Sequence, residues 1–181
     1  MKSVKTRFVL VSSVVLASWV NPAWSDSDVV NLGHKVPSVQ EIQSGLFPDE
    51  ACEQLKKNGF KCMGFKPAVR FSIPSENFKV GSAELPGGLK KQLDVFAQVL
   101  GRRAADSAPV LITGYADASG TDALNMALSE ARARSVQSYL ETKGVASTLL
   151  KTQGKGSQDL ADAANPYAAK NRRVEIGRLP N

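Results

Sequence analysis

Two hydrophobic periods alternate along the chain, and each change of period marks an element. In residues 81–103, "GSAELPGGLKKQLDVFAQVLGRR", Leu89, Leu93, Phe96 and Leu100 recur at i, i+4, i+7 and i+11, which is one apolar face of a helix. Residues 122–143 form a second long helical pattern, ending at Lys143-Gly144 with a basic residue in its last turn and a glycine stop. Between these two lies "PVLIT" (109–113), a short continuous apolar run of the kind that fills a buried strand. "AVRFSI" (68–73) alternates and reads as a strand that Pro74 breaks, and "NFKV" (77–80) reads as another. After the second helix, "TLLKTQGKG" (148–156) reads as a strand and "SQDLADAANPYAAK" (157–170) as a loop. "RRVEIGRL" (172–179) ends the chain as a strand with Val174 and Ile176 on one face. The order strand-helix-strand-helix-strand-strand predicts an α/β fold, an α+β sandwich with two main helices packed on a mixed sheet.

Upstream the signals are shorter. Residues 26–36 are polar and are expected to be loose. "PSVQEIQSGLF" (37–47) opens with Ser38 and carries Glu41 three positions on, the spacing of a capping box. "PDEACEQLKKNG" (48–59) starts with a proline and two acids and stops at Asn58-Gly59, as a second short helix does. The first 25 residues are a different kind of segment. Lys2, Lys5 and Arg7 precede the apolar run "FVLVSSVVLASWV", which is shorter than the ~20 residues a spanning helix needs. Ala23 and Ser25 then supply small residues before a cut, so a secretory signal peptide cleaved after Ser25 is expected. Three parts follow: a signal peptide (1–25), an N-terminal extension with two short helices (26–67) and a main domain (68–181).

Charge changes the picture little. The formal charge is +6, and the leader alone contributes three of those charges, so the exported chain gives no argument for nucleic acid. Cysteine changes it more. Cys52 and Cys62 are the only two, and in an exported chain an even count favours a disulfide between them. Two buried thiols are the alternative. His34 is the only histidine, so a zinc site lacks ligands and most nucleophile–base triads drop out of consideration. No metal, no cofactor and no enzymatic activity are expected.

The second long helix raises a question of chemistry. Asn125, Ser129 and Arg132 lie at i, i+4 and i+7, within a narrow arc of one face. Leu128, Ala131, Ser135 and Tyr139 fall in a neighbouring arc, which with Leu124, Val136 and Leu140 is expected to face the core. Arg134 has Glu130 four residues before it, a favourable surface pair. Arg132 has no acid at three or four residues on either side, and helical side chains lean toward the N-terminus. It therefore leans toward "YADASG" (115–120), where Asp117 follows the strand. A carboxylate and a guanidinium at the mouth of a pocket suit a zwitterion: the first takes an ammonium, the second a carboxylate in fork geometry. Two plainer readings stand beside this one. Asp117 can make only an Asx-turn, and Arg132 can be exposed or paired with Asp117 alone.

The same residues carry a family pattern. Gly114, Tyr115, Asp117, Gly120, Asn125, Leu128, Ser129, Arg132, Ala133 and Val136 fit the strand–turn–helix motif of OmpA-like domains. "FKVGSAEL" (78–85) and "NRRVEI" (171–176) resemble that family's approach to its first helix and its last strand. The resemblance covers about residues 68–179. It implies binding of peptidoglycan through the diaminopimelate residue of the stem peptide. Asp117 and Arg132 would take that amino acid's ammonium and carboxylate, Asn125 would line the pocket, and Arg172 and Arg173 would belong to the last motif. Ala116, Lys79 and Gly81 depart from the pattern. The resemblance places the chain in the periplasm, at the cell wall and the inner face of the outer membrane, as a wall anchor. The rival expectation is an assembly subunit whose domain docks another envelope protein.

Overall fold

The computed structural model describes residues 29–61, 67–74, 78, 79 and 81–179. The expected signal peptide and cleavage site lie outside the described residues, as do Cys62 and the outer two residues of "NFKV".

Five strands form one mixed sheet: β1 (Val29–Asn31), β2 (Arg70–Pro74), β3 (Val110–Tyr115), β4 (Leu150–Gly154) and β5 (Arg173–Arg178). Their spatial order is β1-β2-β5-β3-β4. β1 runs parallel to β2 and β3 parallel to β4, while β5 is antiparallel to both of its neighbours. The last strand thus lies at the centre of the sheet. Four α-helices lie among the described residues: α1 (Val39–Leu46), α2 (Pro48–Lys57), α3 (Gly87–Leu100) and α4 (Asp122–Thr142). This is the two-layer α/β arrangement the periodicity predicts.

One face of the sheet carries the core. Phe71, Ile73, Val110, Ile112, Val174 and Ile176 are buried against Leu89, Leu93, Phe96 and Leu100 of α3 and Val136 and Leu140 of α4. The expected apolar face of α3 is therefore the buried one. The helix starts at Gly87 rather than 81, with Pro86 as its N-cap. Residues 82–86 run without helical structure instead, and this lead-in matters below.

The α4 expectation is overturned in one respect. Its buried residues are Asn125, Ser129, Arg132, Ala133, Val136 and Leu140, so the polar arc itself faces inward. Leu124 is exposed, and Leu128, Ala131, Ser135 and Tyr139 are half-buried. The reason is close approach. A Cβ on Gly114 of β3 would stand 2.0 Å from the Ser129 carbonyl oxygen, and one on Gly154 of β4 would stand 2.8 Å from Ser129 Oγ. The two strand ends press on the helix backbone there, and no bulky residue fits. α4 ends as expected: Gly144 has φ 91°, and the Gly144 and Val145 N–H groups return to the carbonyls of Glu141 and Leu140, a Schellman motif.

From residue 29 on, the N-terminal extension is not loose. β1 pairs with β2, the Leu32 N–H continues the ladder to the Ser72 carbonyl at 2.9 Å, and Leu32 is buried in the core. Gln92 of α3 donates Nε2 to the Gly33 and Lys35 carbonyls at 2.9 and 2.8 Å. A three-residue strand reads as loop in sequence because its reason to exist is the open edge of β2. The capping box of α1 is present, with Ser38 Oγ accepting the Glu41 N–H and Glu41 accepting the Ser38 N–H. α2 occupies its expected place, and Cys52 is buried on it. Phe78 and Lys79 are not in a strand, contrary to the reading of "NFKV".

Candidate functional site

β3 delivers the chain to the site and α4 carries it away. Between them Asp117 accepts the Ser119 N–H at 3.0 Å, which is the Asx-turn. Gly120 follows with φ 84°, a left-handed conformation that glycine adopts without penalty, and Thr121 caps α4 by accepting the Leu124 N–H. Asn125 Oδ1 lies 3.7 Å from where a Gly120 Cβ would be, so Asn125 backs the turn directly. Ser129 Oγ accepts the Gly156 N–H at 2.9 Å and donates to the Met126 carbonyl at 2.8 Å. Its hydroxyl is consumed in fastening the end of β4 to α4.

Asp117 and Arg132 are both buried, 6% and 1% exposed, not at an open pocket mouth as expected. Asp117 Oδ2 accepts from Arg172 Nη1 at 2.6 Å. Burial alone pushes the Asp117 carboxyl up, but the hydrogen bonds from Arg172 and Ser119 outweigh it and hold the group below the ordinary carboxylate value. Arg132 donates Nε to the Ser82 carbonyl at 3.1 Å, and its guanidinium lies 5.0 Å from the Phe78 ring centroid. Its Nη1 is buried with no hydrogen-bond partner, and so is Asn125 Nδ2. Burial and the neighbouring Arg172 charge pull Arg132 below its ordinary value, with Asp117 opposing them. Asp117, Arg132 and Arg172 thus feel one another's charge. The cluster has two cations, one carboxylate and buried donors without an acceptor. Such a donor costs about 1–3 kcal/mol of desolvation, and an anionic group placed against it would recover that cost.

Residues 77–173, more than half of the chain, match the OmpA family. The chain belongs to the OmpA family. It is 43% identical to the outer membrane protein A of Bordetella avium over 48% of this chain and 45% of that one. It is 45% identical to the peptidoglycan-binding protein ArfA of Mycobacterium tuberculosis over 41% of this chain and 23% of that one. The chain therefore spans less than half the length of these curated relatives. Among solved structures it resembles the peptidoglycan-associated lipoprotein of Burkholderia pseudomallei, with a TM-score of 0.51 and 26% identity over 60% of this chain and 89% of that one. The OmpA family is non-enzymatic.

Within this OmpA-family fold the structure brings Asp117, Arg132 and Arg172 together, with Asn125 against the same turn. It places Arg173 in a different cluster, on the sheet face away from the core. Arg173 Nε donates to Glu175 Oε1 at 2.7 Å, its Nη1 reaches the Asp159 carbonyl at 3.0 Å, and its guanidinium stacks 3.6 Å from the Tyr115 ring centroid. Glu175 Oε2 also accepts from Arg70 at 2.9 Å and from the Tyr115 hydroxyl at 3.3 Å. Burial and the Glu175 charge push the Tyr115 hydroxyl up to about 12. Ser82 and Phe78, which touch Arg132, are absent from the sequence-derived site. Their signal is the "FKVGSAEL" stretch, where the resemblance points at a segment without naming its contacts.

Proposed function

We propose that this chain binds peptidoglycan non-covalently through the diaminopimelate residue of the stem peptide, and so fastens an envelope protein or complex to the cell wall. The observation that carries this reading is the buried Arg132 Nη1, a cationic donor without an acceptor, beside the anionic Asp117. A free amino-acid end offers the complement, a carboxylate for Arg132 and an ammonium for Asp117. Asn125 Nδ2 is a second donor for the ligand's oxygens. Arg172 keeps Asp117 ionised, and Arg173 holds the start of β5 so that Arg172 is presented correctly. The peptidoglycan-binding relative in Mycobacterium tuberculosis supports the ligand, and the names of relatives as outer membrane proteins support a periplasmic location at the wall.

The test is a pulldown of the intact chain with purified sacculi, repeated with Asp117→Ala. Retention of wild type and loss of the variant, with circular dichroism unchanged, is the expected result. Equal retention of both would move the binding site elsewhere. No retention of either would favour a protein-docking role.

A further inference from the structure

Tyr167 and Leu124 are the two most exposed large apolar side chains among the described residues, at 70% and 66%. Single apolar residues at a surface need no explanation. These two, however, flank the same site. Leu124 stands on the first turn of α4 beside Asn125. Tyr167 follows Pro166, whose carbonyl accepts the Ala118 N–H at 3.0 Å, so its backbone is anchored next to the residue that follows Asp117.

The loop that carries Tyr167 is held by polar bonds from within. Asn171, fully buried, donates Nδ2 to the carbonyls of Asn165 and Pro166 at 3.0 Å and of Asp162 at 3.3 Å. Its Oδ1 accepts the Asp162 N–H at 2.7 Å. Asp162 in turn takes Asn165 Nδ2 at 3.0 Å and pairs with Lys170 at 2.8 Å. A braced loop therefore holds an aromatic ring out in water, on a backbone hydrogen-bonded to the residue after Asp117.

We propose that Tyr167 stacks on the saccharide ring to which the bound stem peptide is attached, with Leu124 completing the apolar rim; this rests on the peptidoglycan reading above. An amino acid held at Asp117 and Arg132 is joined to its sugar by two further residues. Asp117 and Arg132 are buried, so the sugar stays outside the cluster and within a few residues' reach of it, at most about 3.3–3.6 Å per extended residue. A pyranose presents an apolar C–H face. A tyrosine ring offers a large, rigid surface to it at low conformational cost, while its hydroxyl stays in water.

The experiment is titration calorimetry on the intact chain with two ligands: the tripeptide ending in diaminopimelate, and the same tripeptide joined to N-acetylmuramic acid. Wild type should prefer the sugar-bearing ligand by roughly three- to tenfold. Tyr167→Ala should erase that preference and leave tripeptide affinity unchanged, and Tyr167→Phe should retain it. The inference is overturned if Tyr167→Ala keeps the preference or weakens both ligands alike. If wild type binds both equally and Asp117→Ala abolishes both, the peptidoglycan reading survives and the saccharide contact alone is refuted. If wild type binds neither, both fall.

Discussion

Two clusters in this molecule share a charge inventory and differ in how it is closed. Around Glu175, a carboxylate lies between Arg70 and Arg173 and also accepts the Tyr115 hydroxyl, so both of its oxygens are engaged. Around Asp117, the carboxylate is bonded to Arg172, while Arg132 makes do with the Ser82 carbonyl and leaves Nη1 unpartnered. Each cluster has one acid and two arginines, and each is largely buried. Charge count therefore does not mark the binding site. What sets the proposed site apart is a buried cation without its own counter-ion in contact, which is a poor way to stabilise a fold and a good way to hold an anion.

The contrast can be broken at either end. The largest effect is expected at the closed cluster. Glu175→Gln leaves two guanidinium groups facing a neutral amide, and breaking a buried pair in this way costs about 3–5 kcal/mol. Urea unfolding should show that loss, while the fraction still folded should bind sacculi normally. The next effect is a separation of functions at Arg132. Arg132→Met removes an incompletely paired buried charge and keeps an unbranched, flexible side chain of useful volume. Stability should stay within about 1 kcal/mol of wild type, and sacculus binding should fall roughly tenfold or more, the value of a charge-assisted contact. A stability loss as large as that of Glu175→Gln would show that the two clusters are alike after all.

A third prediction sharpens the role of Arg172. Its hydrogen bond is the chief influence lowering the Asp117 carboxyl against a burial that raises it. A lowered carboxylate contributes at pH above its ordinary value, and the contribution is lost as pH falls through the folded value. Wild-type binding should thus persist until strongly acidic pH. In Arg172→Ala burial acts unopposed by that bond, Asp117 protonates at higher pH, and the acid midpoint of sacculus binding moves up. An unmoved midpoint would mean that Asp117 does not carry the binding. The smallest effect is reserved for Arg134→Ala. Arg134 pairs with Glu130 on the exposed face of α4, and such pairs contribute only ~0.2–0.5 kcal/mol. Binding and melting temperature should both match wild type, only two residues from the position where binding collapses.

The comparison also shows where sequence reasoning reaches its end. Spacing distinguishes Arg132 from Arg134, because one has an acid four residues away and the other has none. Spacing cannot say that Arg132 is buried, since that depends on Gly114 and Gly154 bringing two strands against Ser129 from distant parts of the chain. Nor can it divide Arg172 from Arg173, which are neighbours in the chain. At the start of a central strand successive side chains diverge, and one meets Asp117 while the other meets Glu175 and Tyr115.

By itself the sequence determined most of the local elements and their order, the reading of "NFKV" apart, because these rest on periodicity, caps and glycine stops that act within one turn or one strand. The apolar face of α3, the capping box of α1 and the stop of α4 at Gly144 all belong to that class. Only the tertiary structure decided which side of α4 is buried, that residues 29–31 form a strand, and which arginine answers which acid. Each of those outcomes is a competition between groups far apart in the chain, settled by which backbone can approach closely and which buried charge finds a partner.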